Sequence, residues 1–462
     1  TITSTVYAKD SGTALATDSV NITVPAGSTA TGTTSPNVAS PKLWSIEDPN
    51  LYTVTTEVTV GGQVMDTVST DYGYRWVEFK STGFHLNGKA VKLNGVCMHH
   101  DQGALGSAAY YDAMYRQMSI MKDMGCNAIR VTHNPASADL IDICNKLGML
   151  VIEESFDGLV DPKNDNANDF SSWFEKDAHS GLYGYASGMT CSEYSVRSNI
   201  KRDRNAPSII AWSFGNEIQE GTYWNNVGRY DDICADYISW VNDEDGTRPV
   251  TSGDNNRGGD NRLVDVLNTI INAGGVVGFN YANSASQLAD LARRFGGSNG
   301  VIIASETASH TNSRGQYRNQ NNNSNSDGKY HLTSYDTSAV NWGITAHDSI
   351  YNTYQHDKVA GEFVWTGFDY IGEPTPWNGT NSGDSGRGAI PNSSYFGIVE
   401  TTGFEKDSYY LYRSQWNKDQ TTVHLVTAWD SDNQMISGST TPVWMYSNAP
   451  RVELWLDRKS VV

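Results

Sequence analysis

Alternation of apolar and polar residues governs roughly the first eighty positions. NITV (21–24), YTVTTEVTV (52–60) and DTVST (66–70) are Thr/Val-rich runs of this kind, a period that gives a strand one apolar face. Turn-forming stretches separate them, as in AGSTATGTTSPN (26–37) and VGGQ (60–63). This predicts a small antiparallel β-sandwich over residues 1–82, short enough that an N-terminal strand or two is expected to be missing. From residue 83 the pattern changes. Short, nearly unbroken apolar runs now alternate with helical-period segments: VKLNGVCMHH (91–100), NAIRVTHN (127–134), MLVIEESFD (149–157), SIIAWSFGNE (208–217), RPVTSGD (248–254), VVGFNY (276–281), VIIASE (301–306) and AGEFVWTGFDY (360–370). Eight such β-α units predict a (β/α)8 barrel over 83–403. YDAMYRQMSIMKDMG (111–125) and SADLIDICNKLG (137–148) are two of its helices, the second ending in Gly148 as C-cap. After Phe404 alternation returns in TVHLVTAW (422–429) and VELWL (452–456), predicting the start of a truncated β-sandwich over 404–462.

In a barrel of this kind the active site lies at the C-terminal ends of the strands. Those ends carry His99, His100, Asp101, His133, Asn134, Glu154, Asp157, Asn216, Glu217, Asp254, Asn280, Tyr281, Glu306, Trp365 and Asp369. Packing does not explain polar groups gathered where apolar runs stop. Two irregular stretches, 310–331 (Asn/Ser-rich) and 373–394 (Gly/Pro-rich), would border the barrel mouth as rim or lid loops, or as plain solvated loops.

Composition narrows the partners. The net charge of −19 leaves no basic footprint for nucleic acid and favours a neutral or cationic substrate. No apolar run approaches the roughly 18 residues of a membrane span. The chain starts at Thr1 without an initiator Met or a signal peptide, so it reads as a processed or excised piece. Cys97, Cys126, Cys144, Cys191 and Cys234 are odd in number and widely spaced, which points to buried free thiols. Thirteen Trp and 25 Tyr add a hint of sugar-stacking surfaces.

Glu217 and Glu306 are the leading catalytic candidates. Each ends an apolar strand, where an acid is costly without partners or a task. The ends of strands four and seven face each other across a barrel mouth. Two opposed carboxyls are what retaining glycoside hydrolysis uses, at a separation of about 5–5.5 Å. The bland alternative is a pair of rim salt-bridge partners.

SIIAWSFGNE, VIIASET and EFVWTGFDYIGEPTPW resemble the acid/base, nucleophile and last-strand motifs of family 2 glycoside hydrolases, in particular the multidomain β-galactosidases. GFHLNGKAVKLNGVCMHHDQGALG (83–106) resembles the first barrel strand of that family and AIRVTHNP (128–135) the second. LWSIEDPNLYTVTTEV (43–58) and YGYRWVEF (72–79) resemble the close of the immunoglobulin-like domain before the barrel, and NAPRVELWLDRKS (448–460) the start of a domain after it. The resemblance implies a retaining hydrolase releasing terminal β-D-galactose, with Glu217 as acid/base and Glu306 as nucleophile. It implies that Asn216 bonds the sugar 2-hydroxyl, that Tyr281 donates to the nucleophile, and that His100 and His133 surround the transition state. His99 is the alternative to His100, since side chains alternate along a strand. Trp365 is implied as the stacking floor, and Asp369 as a grip on hydroxyls or a local loop cap.

Some members of the family hold magnesium through a Glu-x-His after strand three. Here EESFDGLVD (153–161) has no His, so neither a metal nor another cofactor is expected. The expected substrate is a β-galactoside oligosaccharide or glycoconjugate, and an N-terminal sugar-binding domain is expected in the full-length protein. A β-glucuronidase would need an Asn-x-Lys after strand eight, absent from 371–406. β-Mannosidase stays open, because epimer choice depends on pocket geometry. A non-catalytic carbohydrate-binding fragment would be expected to have lost one of the two Glu.

Overall fold

Eight parallel strands close into a barrel in the computed structural model, which describes residues 1–163, 166, 168–179, 188–220, 226–317, 330–377, 392–429 and 441–460. The barrel strands are β1 (Leu93–Met98), β2 (Ala128–Val131), β3 (Leu150–Glu154), β4 (Ile209–Asn216), β5 (Val250–Asp254), β6 (Gly278–Asn280), β7 (Ile302–Ala308) and β8 (Val359–Trp365). Each pairs with its sequence neighbours, and β8 returns to β1 with Gly361 opposite Leu93. Every residue of all eight is buried. Burial on both faces is why they read as continuous apolar runs and not as alternation.

One helix follows each strand: α1 (Tyr111–Met124), α2 (Ala138–Leu147), α3 (Cys191–Asp203), α4 (Tyr230–Glu244), α5 (Asn261–Asn272), α6 (Ala285–Phe295), α7 (Ala346–Tyr354) and α8 (Asp407–Trp416). Helix α2 starts at Ser137, whose hydroxyl accepts from the Leu140 amide, and stops at Gly148 with φ 67°. A Cβ at Gly148 would lie 2.4 Å from the Ile46 carbonyl oxygen, so the cap also lets the preceding segment pack closely. All five cysteines are buried and unpaired.

Helix α8 lies beyond the boundary expected at residue 403. It packs beside α1 and α7 and completes the helical ring. Its buried aromatics Tyr409, Tyr412 and Trp416 recur at helical spacing, a signal hidden among the returning β-like runs. The boundary expected at 82/83 likewise cuts a three-stranded antiparallel sheet, Val77–Lys80, Gly83–Leu86 and Lys89–Val91. Phe84 and Leu86 from this sheet, with Trp44, join one core with Leu93, Leu150, Ile210 and Val301 near the N-terminal ends of the strands. That core continues up the barrel interior to Trp365.

Before it, Ala14–Val20, Ile2–Ala8, Tyr52–Val60 and Gln63–Tyr72 form a four-stranded antiparallel sheet. One face is a ladder of hydroxyls, such as Thr3 with Ser19 and Thr55 with Ser69. Val6 and Val54 pair on the other face. After the barrel, Val423–Val426 pairs with Trp444–Ser447 and packs on α8. Of the expected rim loops, 318–329 and 378–391 lie outside the described residues.

Candidate active site

The polar strand ends converge on one cavity of about 940 Å³. His99, His133, Asn216, Glu217, Tyr281, Glu306 and Trp365 line it. Ladder register slips between Ser213 and Asn216 of β4, between Phe279 and Asn280 of β6, and between Ala304 and Thr307 of β7. Such irregularities bend a strand and re-aim its side chains. Immediately beyond each of the three slips the backbone turns left-handed, at Glu217 (φ 45°), Tyr281 (φ 54°) and Ala308 (φ 60°). That conformation costs a non-glycine residue about 1–2 kcal/mol, and such strain gathers at functional sites.

A web of buried charge underlies the cavity. Arg130 of β2 donates from Nη1 to Glu306 Oε1 at 2.8 Å, and from Nε and Nη2 to Glu154 Oε2 at 3.0 and 2.5 Å. Its Nη2 also reaches Asn216 Oδ1 at 2.9 Å. Gly253 makes room for this: a Cβ there would lie 2.5 Å from Arg130 Nη2. Burial opposes the Arg130 charge, but Glu154 and Glu306 outweigh it and raise its pKa. Burial likewise opposes the Glu154 charge, and Arg130 and His133 hold its pKa below the usual carboxylate range. His133 joins the web, with Nδ1 2.6 Å from Glu154 Oε1 and Nε2 3.8 Å from Glu306 Oε1.

The two leading carboxyls sit in opposite settings. Glu306 has donors on both oxygens, Arg130 on Oε1 and the Tyr281 hydroxyl at 2.7 Å on Oε2. Glu217 accepts from Asn280 Nδ2 at 2.8 Å. Burial first, then the charges of Glu306 and Glu220, push the Glu217 pKa well above the usual range. Beside them the Trp365 indole stacks on the His133 ring at 5.4 Å, and His99 stands edge-on to both.

Two expected site residues lie elsewhere. His100 turns away from the cavity, with Nε2 against the Pro135 carbonyl at 3.1 Å, and His99 faces in. Alternation along the strand allows one histidine inside, and the phase places it at 99. Asp369 does not line the cavity either. Strand β8 ends at Trp365, so the alternation expected to 370 stops short. Asp369 instead meets Lys406 Nζ at 2.7 Å and accepts from the Gly397 amide, its pKa pushed up to about 6 chiefly by burial.

Sequence reasoning missed Arg130 and Glu373 as site members, and it placed Glu154 and Asn280 at the strand ends without giving either a role. Arg130 was visible as a lone charge inside the AIRV run, and Glu154 within LVIEE. Glu373 lines the cavity and accepts from the Tyr370 hydroxyl. Among the described residues, no group of three or more His, Cys, Asp or Glu is arranged to hold a metal ion.

Residues 77–383 match the model for glycosyl hydrolases family 2, TIM barrel domain, and residues 1–75 match the glycosyl hydrolases family 2 model. The chain is 35% identical to the β-galactosidase BoGH2A of Bacteroides ovatus, over 92% of this chain and 50% of that protein. It is 31% identical to a putative β-glucuronidase of Formosa agariphila, over 91% of this chain and 38% of that protein. The chain thus spans about half or less of the length of these relatives. A β-glycosidase structure from Bacteroides vulgatus superposes with a TM-score of 0.77 at 28% identity, covering all of this chain and 56% of that one. Barrel, sheet and family match agree over most of its length: the chain belongs to glycosyl hydrolase family 2.

Proposed function

We propose that the chain is the catalytic part of a retaining exo-β-galactosidase, with Glu306 as nucleophile and Glu217 as acid/base. The observation that carries this is the opposed environment of two carboxyls in one cavity. The Glu306 carboxylate attacks the anomeric carbon while Glu217 gives its proton to the glycosidic oxygen, and the aglycone leaves as an alcohol. Water then loses a proton to Glu217, its oxygen bonds the anomeric carbon, and Glu306 is released. Asn216 is the candidate partner of the 2-hydroxyl, and Trp365 with His99 and His133 the floor for the ring.

A neutral sugar suits the lining. Asp157, Glu217, Glu220, Glu306 and Glu373 face Lys163 and Arg257. Both cations have partners: Lys163 Nζ holds Asp157 at 2.7 Å and the Asn216 carbonyl at 2.6 Å, and Arg257 Nη1 holds the Asn280 carbonyl at 3.0 Å. A uronate would enter a pocket richer in acids than in cations, in which Lys163 is already paired with Asp157. The second reading, a β-glucuronidase, is favoured by the name of the Formosa relative and by Arg257 in the wall, whose Nη1 bonds a neutral carbonyl.

Nitrophenol release from β-galactoside, β-glucuronide and β-mannoside decides between them. The galactoside is expected to give the highest kcat/KM, and Glu306→Gln to abolish turnover by several orders of magnitude. A preferred glucuronide, or a Glu306→Gln variant with wild-type rates, overturns the corresponding part of the reading.

A further inference from the structure

The cavity has two unlike ends. Its floor is aromatic and charged, built from His99, His133 and Trp365 beside the two carboxyls. Toward the rim on the β6–β7 side it is lined by Asn283, Gln287, Asn341 and Trp342, none of them charged. Its volume of about 940 Å³ is at the upper end for ligand pockets and leaves space beyond the ring held on the floor.

Trp342 stands out at this rim, with 44% of its surface exposed. An exposed aromatic alone means little, but this one lies in the wall of the cavity and its backbone is clamped. Asn283 Nδ2 donates to the Trp342 carbonyl at 2.6 Å. Asn283 is itself held, its amide by Gln287 Oε1 at 3.1 Å and its carbonyl by Asn352 Nδ2 at 3.2 Å. The wall continues to Tyr281, whose hydroxyl bonds Glu306. An aromatic side chain on a backbone held in this way and flanked by amides suits a ligand with apolar C–H faces and hydroxyl edges. The charged lining residues Asp157, Lys163, Glu220 and Arg257 instead follow β3, β4 and β5.

We infer that Trp342 is the platform for the leaving-group sugar, so that the cavity selects a neutral saccharide as aglycone. This rests on the hydrolase reading above. With the anomeric carbon at Glu306 and the glycosidic oxygen at Glu217, the released group projects from the floor to the open rim. Trp342 lines the cavity wall there. The indole touches only the departing part of the substrate, so it is a specificity-determining residue, separate from the carboxyl chemistry.

The test compares two substrates with the same glycone on the same chain. β-Galactosyl fluoride has a leaving group too small to reach Trp342, and a β-galactosyl-glucose disaccharide has one that stacks on it. The readout is the ratio of kcat/KM for disaccharide over fluoride. Trp342→Ala is expected to lower that ratio at least fivefold, and Trp342→Phe, which keeps an aromatic face, to restore most of it. A smaller change in Trp342→Ala, or a Trp342→Phe variant as poor as Trp342→Ala, overturns the inference while leaving the hydrolase reading intact. If the wild-type chain cleaves another β-glycoside instead, the galactose assignment fails and the ratio is measured on the fluoride and disaccharide of that sugar. A wild-type chain that cleaves none of them overturns both.

Discussion

At the scale of single residues, the site is defined by what surrounds each carboxyl. Glu217 has a raised pKa because burial and two neighbouring acids disfavour its charge. A group that must give up a proton near neutral pH needs that shift. The alkaline limb of kcat/KM should therefore follow Glu217, since activity is lost as the pH rises through its folded-state pKa. Glu217→Ala should cut kcat/KM on poor leaving groups by about 10²–10⁴-fold. It should retain cleavage of good leaving groups, without that alkaline limb, and azide should speed its second step with retention. Glu306→Ala should lose turnover on every substrate, and azide should give, if anything, the inverted glycosyl azide. Product stereochemistry by NMR checks this, and the opposite pattern in the two variants swaps the roles.

Elements place these residues, and β3 does so with adjacent acids on opposite faces. Glu154 points into the barrel, toward Arg130 and the Ser213 hydroxyl, while Glu153 points out to α3 and accepts from Asn199 Nδ2 at 2.9 Å. Burial, then the charge of Asp203, push the Glu153 pKa up to about 8. The folded state therefore holds a proton that the unfolded chain, with an ordinary carboxyl, has released. Stability from this group is full below the unfolded pKa and is lost as the pH climbs from about 4.3 toward 8. Glu153→Gln removes that slope and keeps an acceptor for Asn199. The melting temperature of the variant minus that of the wild type should rise steadily from pH 5 to pH 8. A difference independent of pH would mean that Glu153 is charged in the folded protein.

At the scale of the whole molecule, a plug at one end of the barrel supports a cavity at the other. Phe84 is fully buried in the core that also holds Trp44, the N-terminal strand ends and, further up, Trp365. The Trp44 indole ties the plug to α2 through the Asn145 carbonyl at 2.8 Å. Phe84→Ala leaves a cavity that packed strands cannot fill, and should cost about 3–5 kcal/mol. Denaturant unfolding measures the loss, and turnover per folded molecule should stay at wild-type level, because the plug lies at the far end from the chemistry.

The positions of the eight strands and of both leading carboxyls were legible in the chain alone. A strand buried on both faces has to be apolar along its length, and a barrel leaves its polar groups at the C-terminal ends. Glu217 and Glu306 are conspicuous for that reason, and Gly148 because it closes a helical-period run, where the structure has it left-handed with φ 67°. The tertiary structure decided matters that no local pattern encodes. Whether His99 or His100 faces inward depends on the phase of β1 in the closed sheet, which a slip of one residue reverses. Asp369 is drawn from the cavity by Lys406, 37 positions along the chain by the numbering of the pair. Helix α8 belongs to the barrel because α1 and α7 leave a place between them. Arg130 grips a carboxyl 176 residues away, and its part in the site exists only once β2, β3 and β7 share one interior. Periodicity and burial act along the chain, so sequence carries them; a buried ion pair depends on distance in space, and only the closed fold sets that.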